Sequence, residues 1–295
     1  WSTVRGCNAF LENYEKSPVS DIDKKKFAGE ILFFKAFDYF NKVCLFGEVP
    51  WYDSTLNKDN PELYKGRDSR DLVMTNILAT INKAIEFLPR KTKVYRVSRD
   101  AALLLKARIC LYEGTWRRYR NVEGDVKFLE EAYKASGELM GYGYELYKAS
   151  GTDDSYFDLF IQDNSEVILS REYDPALNMG HNVPNSIPNS EQGMSRDCFE
   201  EYLCANTGKP ISLCGCHNPN MGYNAEMKNR DGRLLQTVCL PESGSKYARF
   251  LYRTTGGMLK GGAPNIFSIL PNSDTRTFYA ASCTGYSVCK FYKAS

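Results

Sequence analysis

The stretch Leu111-Tyr-Glu-Gly-Thr-Trp-Arg-Arg-Tyr119 follows an Ala/Leu-rich helical pattern and decides how the first half of the chain folds. Gly114 has no side chain, so a second backbone can approach closely at this position. Trp116 is large enough to cover the adjoining turn. We therefore predict the crossing of a helical hairpin here, to which Trp116 and Tyr119 belong, with Trp116 packing in the scaffold.

Apolar residues at three- and four-residue steps predict four helices around this stretch. They span about residues 24–46, 71–88, 98–113 and 125–140. The first, which carries Phe27, Phe34 and Phe37, should be buried on most sides. In the last helix, the residues that recur at helical spacing and should share one face are Val126, Leu129, Tyr133, Ser136 and Met140.

The four helices form two similar pairs. Lys35-Ala36 precedes Phe46-Gly47 much as Lys106-Ala107 precedes Tyr112-Glu-Gly114, and each long helix is followed, after a loop, by a shorter one. Paired helices that stack on a common core are typical of tetratricopeptide-type units. The fold class predicted for the chain is therefore mainly α, with tetratricopeptide-like helical hairpins.

The pattern changes after residue 141. Residues 144–147 and 167–173 are strand-like, and residues 156–160 indicate a short helix or turn. Residues 174–196 are rich in proline and asparagine and almost without apolar periodicity. Since a long loop is often functional, and amide groups both donate and accept hydrogen bonds, this loop suits a hydroxyl-bearing ligand. A mobile surface loop is the alternative interpretation.

Charge and hydropathy argue against two classes of partner. The formal net charge is only +2, and no run of lysine and arginine offers a field for nucleic acid or an anionic membrane surface. No apolar run approaches the ~18 residues that a membrane-spanning helix needs.

The ten cysteines show no repeated Cys-x-x-Cys spacing, which argues against a zinc ribbon or a redox pair. The densest group, Cys214-Gly-Cys216-His217, could supply three ligands, but a second half-site at suitable spacing is missing. No metal or other cofactor is therefore expected. Cys44 and Cys110 lie in helical apolar runs and should be buried free thiols. Pairing of Cys198 with Cys204, or of Cys283 with Cys289, stays open.

Several blocks, in order along the chain, resemble the RagB/SusD family of nutrient-uptake outer-membrane lipoproteins of the Bacteroidota. They are residues 4–11 (VRGCNAFL), 30–50 ending in FGEVP, 101–119 ending in LYEGTWRRY, 166–169 (EVIL), 208–211 (GKPI), 229–235 (NRDGRLL) and 284–292. The blocks span almost the whole chain. Members of the family are longer on both sides, so we expect residues 1–295 to be an internal part of one SusD-like domain.

The resemblance implies an α-α superhelical scaffold over residues 1–140 and an irregular, ligand-facing portion with short strands over residues 141–295. It implies a glycan or other nutrient as ligand and a SusC-like TonB-dependent transporter as partner. It also implies a lipid-anchored protein on the extracellular face of the outer membrane, with the lipidated N-terminal cysteine outside this sequence.

The resemblance also places part of the ligand face in the loop after residues 166–173. The candidate ligand-binding residues of this loop are Tyr173, Asn178, His181, Asn182 and Asn185. Trp51 and Tyr52, after Pro50, are expected to be exposed aromatic residues and are further candidates, and packing over a helix end is the alternative. The loop contains no tryptophan, so the aromatic arc of a starch-binding member cannot be carried over.

Two other function classes stay open from the residues alone. A glycosidase needs two carboxylates across a cleft. Asp153-Asp154, Asp158 and Glu200-Glu201 supply acids, but nothing singles out a pair, and no Ser elbow, phosphate loop or HExxH motif is present. We therefore do not expect an enzyme. A pure protein-interaction scaffold is the other alternative, because stacked helical hairpins often present a groove to peptides.

Overall fold

The structure is a computed structural model that describes residues 1–90, 93–148, 155–180, 193–217, 223–238 and 288. Within these ranges the regular elements are α-helices and short 3-10 helices, so the mainly α prediction is confirmed. The chain divides into two compact units. The first consists of Trp1–Glu145 and Val167–Glu172, and the second of Leu146–Glu166 and Tyr173–Ser295.

The first unit is an array of helices that pack on one another in chain order. The helices are α1 (Ser2–Leu11), α2 (Asp21–Phe46), α3 (Arg70–Phe87), α4 (Arg99–Tyr119) and α5 (Asp125–Met140), with 3-10 turns at Tyr14–Lys16 and Pro61–Tyr64. Helix α2 packs on α3, and α4 on α5, as the two predicted hairpins require, while α3 packs on α4 and joins the pairs. A single apolar cluster runs through α1 to α5.

Three of these helices begin at a serine that caps the first turn. The hydroxyl oxygens of Ser20, Ser69 and Ser98 accept hydrogen bonds from backbone N–H groups three residues on, at 3.2 to 3.3 Å. Each serine satisfies one N–H group that has no partner within the helix. The predicted start of the third helix at Ser98 is thereby confirmed.

Helix α4 continues through Tyr119, so the opening stretch lies inside a helix and not in a turn. The close approach predicted at Gly114 is present: an added Cβ would lie 2.7 Å from Leu129 Cγ and 3.1 Å from the Leu129 backbone nitrogen of α5. Trp116 is stacked between Arg70, 3.8 Å from its ring centre, and Arg120, at 4.8 Å. It therefore packs in the scaffold rather than over the turn.

Two predicted faces differ from the structure. Helix α2 is not buried on most sides, because Phe34 is 46% and Phe37 42% exposed. In α5 the predicted register is wrong: Tyr133 and Met140 point to solvent, and the neighbouring face is buried instead. The buried residues of that face are Phe128, Ala132, Ala135 and Leu139.

The short strands predicted at residues 144–147 and 167–173 are absent. Both segments are irregular, and β-structure among the described residues is limited to isolated bridges. In the second segment, the Ser170 N–H donates an isolated hydrogen bond to the Val94 carbonyl at 3.0 Å. One backbone hydrogen bond of this kind does not pair the segment into a β-sheet.

The second unit is built from short helical elements. They are α6 (Ser155–Asp158), α7 (Arg196–Glu200), α8 (Tyr223–Glu226) and α9 (Gly232–Leu235), with 3-10 turns at Pro175–Leu177 and Ile211–Leu213. Helix α6 confirms the short helix predicted near residues 156–160. A small apolar core is formed by Phe199, Met227, Leu234 and Val238. None of the helices in the described ranges is long and apolar enough to cross a membrane.

Candidate functional site

The start of the predicted ligand loop forms a tight turn in the second unit. Asp174 and Met179 form an antiparallel bridge, and the Met179 N–H donates to the Asp174 carbonyl at 3.0 Å. The Asp174 side chain accepts a bond from the Ala176 N–H at 2.8 Å and fixes the inside of the turn. The turn is therefore held by its own residues.

Tyr173 and Asn178 lie at the two ends of this turn. The Tyr173 side chain is 44% exposed, and Asn178 is exposed with a backbone φ of 55°. Asparagine tolerates this left-handed conformation better than most residues. Both side chains are exposed, and their contact with a ligand stays a prediction. His181, Asn182 and Asn185 lie outside the described residues.

The other two candidates lie in the first unit, where the expected exposure of Trp51 is wrong. Trp51 is only 7% exposed, and its ring stacks on Tyr39 with the centroids 4.0 Å apart. Its indole nitrogen is buried without a hydrogen-bond partner in the structure. Tyr52 is half-buried, and its hydroxyl donates to the Glu62 carbonyl at 3.1 Å. Whether either residue contacts a ligand stays a prediction.

Backbone bonds explain why Trp51 turns inward. The Trp51 N–H donates to Asp68 at 2.7 Å, and this bond is the main cause that holds the pKa of the Asp68 carboxyl below its usual value. Lys65 donates to the Trp51 carbonyl at 2.9 Å. The neighbouring Tyr52 N–H donates to the buried Tyr39 hydroxyl at 2.8 Å. The loop after Pro50 is therefore fastened to α2.

The rings of Trp51, Tyr39 and Tyr52 form an aromatic cluster, and a lysine and a second tryptophan lie against it. Lys35 is buried, lies 5.0 Å from the Trp51 ring centre and forms an ion pair with Asp53 at 3.1 Å. Trp1 meets the rings of Tyr39 and Tyr52 edge-on, at 6.1 and 5.6 Å, and is 52% exposed. Trp1 is thus the more accessible tryptophan of the cluster. Sequence reasoning missed it because no periodicity marks an isolated aromatic residue.

The acids considered for glycosidase chemistry are not brought together by any described contact. Glu200 forms an ion pair with Arg196 at 2.6 Å, four residues away on α7. Asp158 ends α6, and residues 153–154 lie outside the described ranges. An ion pair within one helix is the ordinary environment of a surface acid. It gives no support to a catalytic pair.

A group of thiols in the second unit was also missed as a group. Cys204, Cys214 and Cys216 place their sulfur atoms within 4.8 Å of one another. A hydrogen bond with the Thr207 hydroxyl is the largest cause that lowers the pKa of the Cys204 thiol, and the neighbouring Cys214 raises that of Cys216. Thus a third cysteine, ten residues before Cys214, joins the pair that the sequence singled out.

Two other predictions on cysteine have opposite outcomes. Cys110 is fully buried, as predicted, and burial raises the pKa of its thiol to about 12. Cys44 is exposed, so the prediction of a buried thiol there is wrong. Cys198 is exposed and unbridged, while Cys204 belongs to the thiol group described above.

Comparison with known proteins agrees with this helical architecture. Residues 1–111 match the family model for SusD-like proteins described as starch-binding and associating with the outer membrane. A comparison with curated proteins finds no match to the chain.

Two solved structures share the fold. A SusD-like carbohydrate-binding protein of Bacteroides fragilis is 19% identical, with a TM-score of 0.66 over 98% of this chain and 52% of its own. A second SusD-like protein of the same species is 22% identical, with a TM-score of 0.64 over 81% of this chain and 48% of its own. The chain spans about half the length of these structures.

Residues 1–111 are therefore similar to SusD-like proteins, and the chain shares the helical fold of two SusD-like structures. The resemblance found in the sequence blocks is confirmed at this level.

Proposed function

We propose that the chain belongs to a cell-surface protein that binds a nutrient glycan and delivers it to a SusC-like TonB-dependent transporter. The observation that carries the proposal is the fold shared along 98% of the chain with a SusD-like carbohydrate-binding protein. The family description of residues 1–111, starch-binding and associating with the outer membrane, points the same way. Lipid anchoring on the extracellular face is part of the proposal.

The physical basis of such binding is stacking on a sugar face combined with directional hydrogen bonds to hydroxyls. Tyr173 offers an accessible ring, and Asn178, five residues on, offers an exposed amide. We extend the proposed ligand face from these two residues to His181, Asn182 and Asn185 along the same segment. Trp51 and Tyr52 rank lower, because the Trp51 ring is already covered by Tyr39.

A glycan array tests the binding proposal. The wild-type chain is compared with a variant that combines Tyr173→Ala, His181→Ala and Asn182→Ala, and with Tyr133→Ala as a control for an exposed tyrosine on α5. We expect a defined set of glycans to bind wild type and control and to be lost in the triple variant. Intact binding in the triple variant would move the ligand face elsewhere.

The same array distinguishes the alternatives. An absence of glycan binding in all three proteins would favour a peptide ligand or the interaction-scaffold hypothesis. A bound glycan that is shortened on incubation, with release of reducing ends, would instead favour the glycosidase. We expect the bound glycan to be recovered unchanged, since binding by stacking and hydrogen bonds needs no bond cleavage.

Delivery to the transporter requires its own experiment. The full-length protein, carrying an affinity tag, is purified from detergent-solubilised outer membranes of the native organism. We expect a TonB-dependent transporter to copurify in about equal amount. Recovery of the tagged protein alone, with its glycan binding intact, would contradict delivery through a stable complex and leave the binding proposal standing.

A further inference from the structure

The three clustered thiols come from two separate segments of the second unit. Cys204 lies after α7, in an antiparallel bridge with Arg230. Cys214 and Cys216 follow the 3-10 turn Ile211–Leu213. The sulfur atoms of all three lie within 4.8 Å of one another, and Cys204 and Cys214 are buried. This grouping is produced by the fold and not by sequence spacing alone.

The backbone around Cys204 forms a closed turn that aims its side chain at the other two. The Cys204 N–H donates to the Lys209 carbonyl at 2.9 Å, and the Gly208 N–H donates to the Cys204 carbonyl at 2.8 Å. Gly208 has a φ of 64°, which glycine adopts without strain. The Thr207 hydroxyl donates to the Cys214 sulfur at 3.3 Å and connects the turn to the second segment.

This turn is also attached to the core of the second unit. The Ala205 N–H donates to the Asn229 carbonyl at 2.8 Å, beside the bridge between Cys204 and Arg230. The Arg230 guanidinium is buried and donates to the Phe199 carbonyl at 2.6 Å. The position of the Cys204 sulfur is therefore set by the same residues that build the core.

His217 supplies a second, independent observation. Its Nε2 atom is buried, and no hydrogen bond to it is present in the structure. His217 follows Cys216 directly, and its backbone N–H donates to the Cys214 carbonyl at 3.5 Å. A buried imidazole nitrogen without a partner is costly, and metal coordination is one of the interactions that satisfies it.

We propose that Cys204, Cys214 and Cys216 hold one zinc ion as thiolates, and that the imidazole of His217, which lies outside the group of sulfur atoms within 4.8 Å of one another, turns inward as the fourth ligand. Four ligands of the Cys₃His type are a common set for structural zinc. Zinc–sulfur bonds of about 2.3 Å in a tetrahedron place the sulfur atoms about 3.8 Å apart. Sulfur atoms that already lie within 4.8 Å of one another reach this spacing with small side-chain movements.

A disulfide is the competing use of these thiols. It would join two sulfur atoms at about 2.05 Å and leave the third cysteine and the His217 nitrogen unused. Zinc uses all four groups at once. The ion would tie the turn around Cys204 to the segment of Cys214 and His217, and so would add to the stability of the second unit.

The test begins with the full wild-type chain purified under reducing conditions and stripped with a chelator. Zinc is added in competition with a chromophoric chelator. Cobalt(II) is added to a second sample, because tetrahedral thiolate coordination gives intense visible and near-ultraviolet absorption. We expect one zinc per chain and the spectrum of tetrahedral cobalt with sulfur ligands. Failure of the reduced wild-type chain to bind either ion would overturn the proposal, whatever the variants do.

Single serine variants assign the ligands. Cys204→Ser is compared with Cys198→Ser, which changes an exposed cysteine six residues away. Loss of an outer-shell contact already weakens metal binding 10- to 100-fold, so we expect Cys204→Ser to weaken zinc binding by about 100-fold or more. Cys198→Ser should bind as wild type does. Equal zinc binding in the two variants, or a Cys204–Cys214 disulfide that persists in the presence of zinc and reductant, would overturn the proposal.

Discussion

Arg70 on α3 donates three hydrogen bonds to the fully buried carboxylate of Glu113 on α4, at 2.6 to 3.1 Å. Glu113 also accepts a bond from Arg117 at 2.8 Å. Arg117 in turn pairs with Asp71 beside Arg70, at 2.8 Å. The two predicted hairpins are therefore joined by an ionic cluster as well as by apolar packing.

This cluster predicts a large effect for a small change. Glu113→Gln removes the negative charge that compensates two arginine side chains, and breaking a buried pair from one side costs about 3 to 5 kcal/mol. We expect the free energy of unfolding, measured by urea denaturation, to fall by about that amount. Glu130→Gln, on the exposed face of α5, should change it by less than about 0.5 kcal/mol. Equal effects would contradict the role of Glu113.

Two glycines in neighbouring helices give opposite predictions. Gly114→Ala places a Cβ 3.1 Å from the Leu129 backbone nitrogen, so α5 must move away, and overpacking of this kind costs about 1 to 3 kcal/mol. At Gly137, inside α5, an added Cβ meets nothing within 4 Å. Gly137→Ala should therefore stabilise the helix by about 0.5 to 1 kcal/mol. Thermal unfolding measures both, and a stabilising Gly114→Ala would contradict the close approach.

The ion pair between Lys106 and Glu131 predicts a dependence on pH. The Lys106 ammonium group lies 2.6 Å from the Glu131 carboxylate and holds the pKa of that carboxyl below its usual value of 4.5. The folded state is therefore stabilised above pH 4.5, and this contribution is lost as the pH falls through the lowered pKa. At neutral pH, Glu131→Gln should be less stable than wild type by up to about 1 kcal/mol.

Unfolding curves at a series of pH values check this prediction. The difference between Glu131→Gln and wild type should shrink as the carboxyl of the wild-type protein becomes protonated. Glu130→Gln serves again as the control, since it lies on the same helix with its side chain exposed. A difference that stays constant down to strongly acidic pH would show that packing, rather than charge, is responsible.

The thiol of Cys110 reports on the helical core. Its side chain is fully buried, and its pKa of about 12 leaves almost no thiolate at neutral pH. Iodoacetamide should therefore leave Cys110 unmodified in the native protein and modify it in urea, as mapped by peptide mass spectrometry. Cys198 is exposed and should react in the native protein. Modification of both at similar rates would contradict the burial of α4.

The helices of the first unit could be predicted from sequence because local signals mark them. The apolar periodicity and the cap at Ser98 placed the starts of α2 to α5 within three residues, although the third helix, predicted to end near residue 113, continues to Tyr119. The buried face of α5 was harder, because two neighbouring rows have the same spacing. The structure buries the row that contains Ala132 and Ala135, whereas Leu129 of the predicted row is the residue that lies against Gly114 of α4, and no local signal encodes these tertiary contacts.

The candidate sites depend even more on long-range contacts. Trp51 follows a proline in a polar loop, and only the bonds to Asp68 and Tyr39 show that its ring turns inward. Cys204 joins Cys214 through a turn and a bridge to Arg230 that no spacing rule encodes. Tyr173 and Asn178 are candidates through their position in the family resemblance; both are exposed in the structure, and their contact with a ligand stays a prediction.

Glycan affinity in solution tests the central claim most directly. A glycan selected on the array is titrated calorimetrically into the wild-type chain, Tyr173→Ala and the control Tyr133→Ala. We expect saturable binding with one site per chain, weakened about 10-fold or more by Tyr173→Ala because stacking on an aromatic ring is lost, and unchanged in the control. Equal affinity in all three proteins would contradict the proposed ligand face, and no heat of binding with any array-selected glycan would contradict glycan binding itself.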